Sequence, residues 1–214
     1  MKRGLLIALM LVGIQHFAYA APGDSLPKWT IGIIAVGHYQ GPFQSFQPQF
    51  LPGIQVNRKI GKYELRLGVE HTVSNRIYGP RQDYTWGNGS HNNTLLRIGI
   101  ERGFTISKRF SAYGALDLGA RYQRGQYESF GCFGPNGTVS YVSHGLGVLP
   151  TTGILFKASK RISIFAEYRA EAFVSDVTEK TMFSAGNIDT RPYHYTSFDF
   201  NFGTIGQVGL KISL

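Results

Sequence analysis

The stretch Phe198 to Leu214 constrains this chain most. Its even positions are apolar or small: Phe198, Phe200, Phe202, Thr204, Gly206, Val208, Leu210, Ile212 and Leu214. Its odd positions are mostly polar or small (Asp199, Asn201, Gly203, Gln207, Gly209, Lys211, Ser213), with Ile205 the exception. A period of two is the period of a β-strand. Strands of globular sheets typically run about 5–6 residues, far fewer than this. A long strand with rings and aliphatics on one face and charge and amide on the other reads as the closing strand of a membrane β-barrel.

The opposite end carries an export pattern. Lys2 and Arg3 precede the apolar run Leu5 to Ile14, and Ala18-Tyr19-Ala20 follows. A basic start, an apolar run of about ten residues and a small-x-small end make a cleavable signal peptide. The run is too short for a membrane-spanning helix, which needs about 20 residues. Residues 1–20 are therefore expected to be removed, leaving 21–214 as one barrel domain. Losing Lys2 and Arg3 lowers the formal charge from +9 to +7.

Composition narrows the class further. No later segment reaches 18 consecutive apolar residues, so no transmembrane helix is expected. Cys132 is the single cysteine and has no partner for an internal disulfide. The sequence pI near 9.7 invites a nucleic-acid reading. The basic residues are dispersed, however, and no basic helix, zinc-finger spacing or aromatic RNA-binding motif occurs, so nucleic acid is not an expected partner.

The alternation predicts eight strands, at about 29–39, 51–60, 62–73, 94–106, 110–124, 144–157, 162–174 and 197–214. Three links are tight: Gly61, Ser107-Lys108-Arg109, and Ala158-Ser159-Lys160-Arg161. The others are long, spanning 40–50, 74–93, 125–143 and 175–196. An even strand count with short turns at one end and long loops at the other is the outer-membrane pattern, with turns periplasmic and loops extracellular. The expected fold is all-β, an eight-stranded antiparallel up-and-down transmembrane barrel.

Each strand has two unlike faces. Leu65, Leu67 and Val69 oppose Glu64, Arg66 and Glu70. Leu96, Ile98 and Ile100 oppose Arg97 and Glu101. Leu116, Leu118 and Ala120 oppose Asp117 and Arg121, and Ile164, Ala166 and Tyr168 oppose Glu167, Arg169 and Glu171. Alternation alone permits either polarity, because a soluble eight-stranded barrel keeps its apolar face inside. Three features favour apolar outward. The strands are long enough to cross a bilayer. Trp29, Tyr39, Tyr63, Tyr122 and Tyr168 stand near strand ends, as an interfacial girdle requires. The polar face carries both charge signs.

The expected inner face holds the acids Glu64, Glu70, Glu101, Asp117, Glu167, Glu171 and Asp199 and the bases Arg66, Arg97, Arg121, Arg169 and Lys211. Eight strands leave a bore just wide enough for side chains to fill. A plugged core of ion pairs is expected, since unpaired buried charge is costly. A gated, slightly acidic, porin-like pore is the alternative.

The export pattern, the turn–loop alternation, the strand dyads and the terminal strand together resemble the small eight-stranded outer-membrane barrels of Gram-negative bacteria, the OmpA/OmpX-like group. The resemblance covers residues 21–214. It implies a monomer of the cell envelope, inserted by the barrel-assembly machinery and in contact with lipopolysaccharide. Members usually end in an aromatic residue; this chain ends in Leu214, with Ile212, Leu210 and Val208 in phase. The group includes anchors, adhesins and lipid-modifying enzymes, so the fold does not fix a function.

Candidate chemistry is sparse. His71-Thr72-Val73-Ser74-Asn75 resembles the His-x-Ser-Asn motif of outer-membrane lipid A deacylases, which implies Ser74 as nucleophile, His71 as base and Asn75 in an oxyanion hole. Here His and Ser are three apart instead of two, so a regular strand sends them to opposite faces unless a bulge or loop begins at Val73. His38, His71, His91, His144 and His194 all fall near the loop ends without metal-ligand spacing, and no metal or cofactor is expected. Arg76, Arg81, Arg124 and Arg191 are candidates for lipopolysaccharide phosphates. The long loops are rich in Tyr, Trp, Phe, Gln, Asn and Gly, a composition suited to recognising surfaces. The expected role is structural or surface-interacting and not enzymatic, with a pore or a lipid A hydrolase as alternatives.

Overall fold

A computed structural model describes residues 29–38, 52–78, 86–129, 137–183 and 192–214. The expected signal peptide, Tyr39, Arg81, Cys132 and Arg191 lie outside them. Eight strands form in chain order: β1 (Trp29–His38), β2 (Pro52–Ile60), β3 (Tyr63–Tyr78), β4 (Trp86–Thr105), β5 (Phe110–Ser129), β6 (Gly137–Lys157), β7 (Ile162–Phe183) and β8 (Tyr193–Ser213). Each pairs antiparallel with the next, and β1 pairs with β8 to close the barrel. The seam runs to the last residue, where the Leu214 amide donates to the Trp29 carbonyl at 2.9 Å. Along β1 and β2 as described, closure pairs both margins of the sheet, as a lipid-embedded sheet requires.

The tight turns are set by local chemistry. Between β2 and β3, Gly61 has φ +61°, a conformation open to glycine without a Cβ penalty. The other two turns share the sequence Ser-Lys-Arg and share a geometry. Ser107 Oγ accepts from the amides of Arg109 and Phe110, at 3.4 and 3.1 Å. Ser159 Oγ accepts from those of Arg161 and Ile162, at 3.2 and 3.0 Å. A serine side chain replaces the missing ladder partner in both places.

The polarity is apolar outward. On β5, Leu118 is 61% exposed and its neighbour Asp117 is 0% exposed. The same contrast holds on the other strands, with Ile33, Ile54, Leu67, Ile98, Leu146, Ile164 and Leu210 outside and Arg66, Arg97, Glu167 and Arg169 buried inside. The terminal strand keeps this phase through an irregularity. Arg169 pairs with Ile205 but Glu171 pairs with Asn201, so β8 carries two extra residues there. Two is even, so Phe198 and Phe200 above the irregularity face outward like Val208 and Leu210 below it.

From β3 to β8 the strands run further toward the loop end than alternation predicts, whereas β1 and β2 end within one residue of the expected limits. β3 continues to Tyr78 and β4 starts at Trp86, while β5 reaches Ser129, β6 starts at Gly137, β7 reaches Phe183 and β8 starts at Tyr193. The reason is visible in the register. His71, Thr94, Tyr122, His144, Asp176 and Thr196 are successive cross-strand partners on β3 to β8. This polar row tops the apolar belt. Past it the outward residues are mostly polar, as with Asn92, Arg124, Gln126, Thr178 and Lys180. Only Val73 and Met182 among the large apolar side chains described there stay exposed, so hydrophobic alternation fades while backbone pairing goes on.

Candidate functional site in the barrel lumen

The lumen is filled by one ion-pair cluster contributed by β2, β3, β4, β5, β7 and β8. Arg66, wholly buried on β3, reaches Glu101 (Nη1–Oε2 3.2 Å), Glu167 (Nη2–Oε2 2.8 Å) and Asp117 (Nε–Oδ1 3.6 Å). Arg97 on β4 meets Glu70 through Nε at 3.0 Å and Asp117 through Nη1 at 2.9 Å. Arg169 on β7 forks onto both oxygens of Glu70, at 2.8 and 3.0 Å, and also meets Glu171 at 2.9 Å. Lys211 on β8 lies 3.1 Å from each oxygen of Glu101. Every carboxylate in this cluster therefore has a cationic partner, and the planar guanidinium fork suits such bidentate pairing.

Two amides complete the cluster. Gln55 Oε1 accepts from Arg66 Nη2 at 3.2 Å and Arg97 Nη2 at 2.7 Å, so it separates two like charges. Gln207 Nε2 donates to Glu70 at 3.2 and 3.3 Å. Both amides are 1% exposed, and sequence reading misses them because a neutral side chain on a polar face carries no charge signal. Two of the expected lumen acids stand apart. Glu64 accepts from Asn57 Nδ2 at 3.2 Å, and Asp199 pairs with Arg121 nearer the loop end.

Glycines supply the space. A Cβ at position 68 would come within 2.8 Å of Arg97 Nε, and one at 119 within 3.1 Å of the Phe173 ring. Gly68 is the cross-strand partner of Arg97 itself. Large lumen side chains thus alternate with glycines on adjoining strands, which fits a narrow bore.

Apolar layers lie against the cluster. Leu95, Leu149 and Phe173 pack together and are at most 4% exposed, and Ile34 packs on Phe165. Arg121 lies over the Phe173 ring at 4.2 Å and Lys211 over Tyr113 at 4.9 Å, so the cations join the charged and apolar layers. Side chains fill this section of the lumen on both sides of the ion pairs.

The other candidates occupy the loop-end wall. The β3–β4 ladder is unbroken from His71↔Thr94 to Ser74↔His91, and its register shift falls after Ser74. Neither a bulge nor a loop begins at Val73, so positions 71 and 74 fall on opposite faces of the sheet. His71 Nδ1 instead lies 2.9 Å from Thr94 Oγ1 on the exterior. Ser74, Asn75 and Arg76 are strand positions whose side chains lie outside the described set. Arg124 is exposed and outward, one step past Tyr122 in the polar row. His194 Nδ1 lies 2.9 Å from Thr178 Oγ1, and the His144 and Tyr122 rings are 5.1 Å apart. Among the described residues, no group of three or more His, Cys, Asp or Glu could hold a metal ion.

No family profile matches the chain, and no curated protein matches it. Solved structures do. A major outer membrane protein from Thermus thermophilus superposes with a TM-score of 0.57 at 12% identity, covering 89% of this chain and 100% of that one. Ail, the attachment invasion locus protein of Yersinia pestis, gives 0.47 at 13% identity over 88% and 99%. Acinetobacter baumannii CarO gives 0.44 at 9% over 86% and 97%. The Thermus likeness is one of fold. This chain has the fold of a small outer-membrane β-barrel protein.

Proposed function

We propose that the chain is an integral protein of the bacterial outer membrane with a structural and surface-interacting role, its loop-end wall in contact with lipopolysaccharide. The observation that carries this is the exterior: an apolar belt capped by a polar row, above which the strands continue as a wall bearing exposed Arg124 and Lys180. Cations just past an apolar belt lie where lipid phosphates lie, and arginine binds phosphate by paired N–H donors. The filled lumen supports a structural role over conduction, and the unlike faces of positions 71 and 74 count against the hydrolase.

Retention of lipopolysaccharide by the purified, folded barrel tests the reading. The wild type is expected to retain it from mixed vesicles, and the double variant Arg124→Ala, Lys180→Ala to retain clearly less. Equal retention by both would remove the lipopolysaccharide contact.

A further inference from the structure

The turn end of the barrel holds a groove the lumen does not explain. It lies on the outer face, encloses about 580 Å³, and is lined by Tyr63, Arg102, Gly114, Pro150, Tyr168 and Ala170 among others. Its floor is low because Gly114 has no side chain, and a Cβ placed there would meet nothing within 4 Å. Near its far end Pro150, with no N–H to give, sits where the β6–β7 ladder skips from Val148↔Ala172 to Thr151↔Arg169. The groove follows the ladder row Arg102, Gly114, Thr152 and Tyr168 from β4 to β7, with Ala170 one step toward the loop end, and Arg102 stands three residues short of the end of β4.

Arg102 is the anomaly. It projects from the lipid-facing side, in phase with Ile98, Ile100 and Phe104, and it is exposed. Its guanidinium lies over the rings of Tyr63 at 5.8 Å and Phe104 at 5.4 Å, and among the described residues no carboxylate pairs with it. An arginine on a lipid-facing strand is costly unless its head reaches a phosphate at the interface. The surrounding charge has the matching sign. Lys59, Lys62, Lys108, Arg109, Lys157, Lys160 and Arg161 are exposed at this end, and the nearby acids Glu64 and Glu101 are engaged inside the lumen.

We propose that this groove binds one phospholipid of net negative headgroup charge from the turn-side leaflet, with the phosphate against Arg102 and an acyl chain along Gly114 toward Ala170. The inference rests on the membrane reading above. Insertion into vesicles checks that reading separately, and the lipid-binding result bears on the groove alone.

Native mass spectrometry of the folded full-length barrel, released from detergent with phosphatidylglycerol or phosphatidylcholine added, tests it. The wild type is expected to retain one phosphatidylglycerol in preference to phosphatidylcholine. Arg102→Gln should reduce that preference about fivefold, the worth of one interfacial cation, and Arg102→Lys should keep most of it. Gly114→Leu, which fills the floor, should reduce retention of both lipids. Heat-modified gel migration confirms that each variant is folded. Equal retention of the two lipids by the wild type, unchanged retention in Arg102→Gln and Gly114→Leu, a Gly114-dependent dimer in place of bound lipid, or preferential capture of lipid A at Arg102 would each overturn the proposal.

Discussion

At the scale of single residues, the lumen arginines are the groups whose loss costs most. Arg66 neutralises parts of Glu101, Asp117 and Glu167 at once, all nearly inaccessible to solvent. Replacing a buried ion-pair network by apolar packing is often neutral, but removing one partner strands the others without compensation, at about 3–5 kcal/mol. Arg66→Met is therefore expected to destabilise the barrel by about that amount, read as an earlier urea unfolding midpoint in lipid vesicles. A change under about 1 kcal/mol would mean that the three acids find protons or other partners. The charged members of this cluster were legible from alternation, because each sits in strict phase with an apolar neighbour. Gln55 and Gln207 were not, since their importance comes from which charged groups they reach across the bore.

At the scale of the strand, the exterior defines the solvent. Leu118 stands 61% exposed between Leu116 and Ala120 on β5, inside the apolar belt. An arginine near the bilayer midplane of a barrel strand costs about 2–4 kcal/mol, falling toward zero near the interfaces. Leu118→Arg should therefore weaken folding into vesicles by about that much, while Gln126→Arg, past the polar row, should leave it nearly unchanged. Equal tolerance of both would argue for water, not lipid, around the belt. Strand starts and stops at the turn end followed from the sequence because the turns carry their own chemistry, in Gly61 and the two Ser-Lys-Arg segments. The loop-end limits of β3 to β8 did not. Above the polar row the outward face is mostly polar, with Val73 and Met182 as exceptions, so its contrast with the inner face weakens while the ladder continues.

At the scale of the whole molecule, the filled section of the lumen sets what the barrel can pass. The Leu95, Leu149 and Phe173 group packs beside the ion-pair cluster, with Leu95 the cross-strand partner of Glu70 and Leu149 that of Asp117, so truncating one arginine leaves large buried side chains in place. Purified barrel in planar bilayers is expected to show no step conductance, and Arg97→Ala to show none either. Reproducible steps that change in Arg97→Ala would support the pore. The charge of the turn end is also a property of the whole. Its cations come from separate turns and strand ends, dispersed along the chain, and become one basic rim only when the barrel closes.

Periodicity by itself determined that this chain makes eight two-faced strands, that their short turns share one end, and that the charged face is distinct from the apolar one. These are local properties, since a strand's facing repeats every two residues whatever it packs against. Three matters were decided only by the tertiary structure. Which acid meets which base depends on strand tilt and register around a closed sheet, and Arg66 reaches Glu167, 101 residues away along the chain, because the bore is narrow. Positions 71 and 74 were assigned to opposite faces by the unbroken ladder beneath them. The groove at Arg102 exists because a glycine, a proline and a break in pairing on neighbouring strands fall side by side, an adjacency that no single segment encodes.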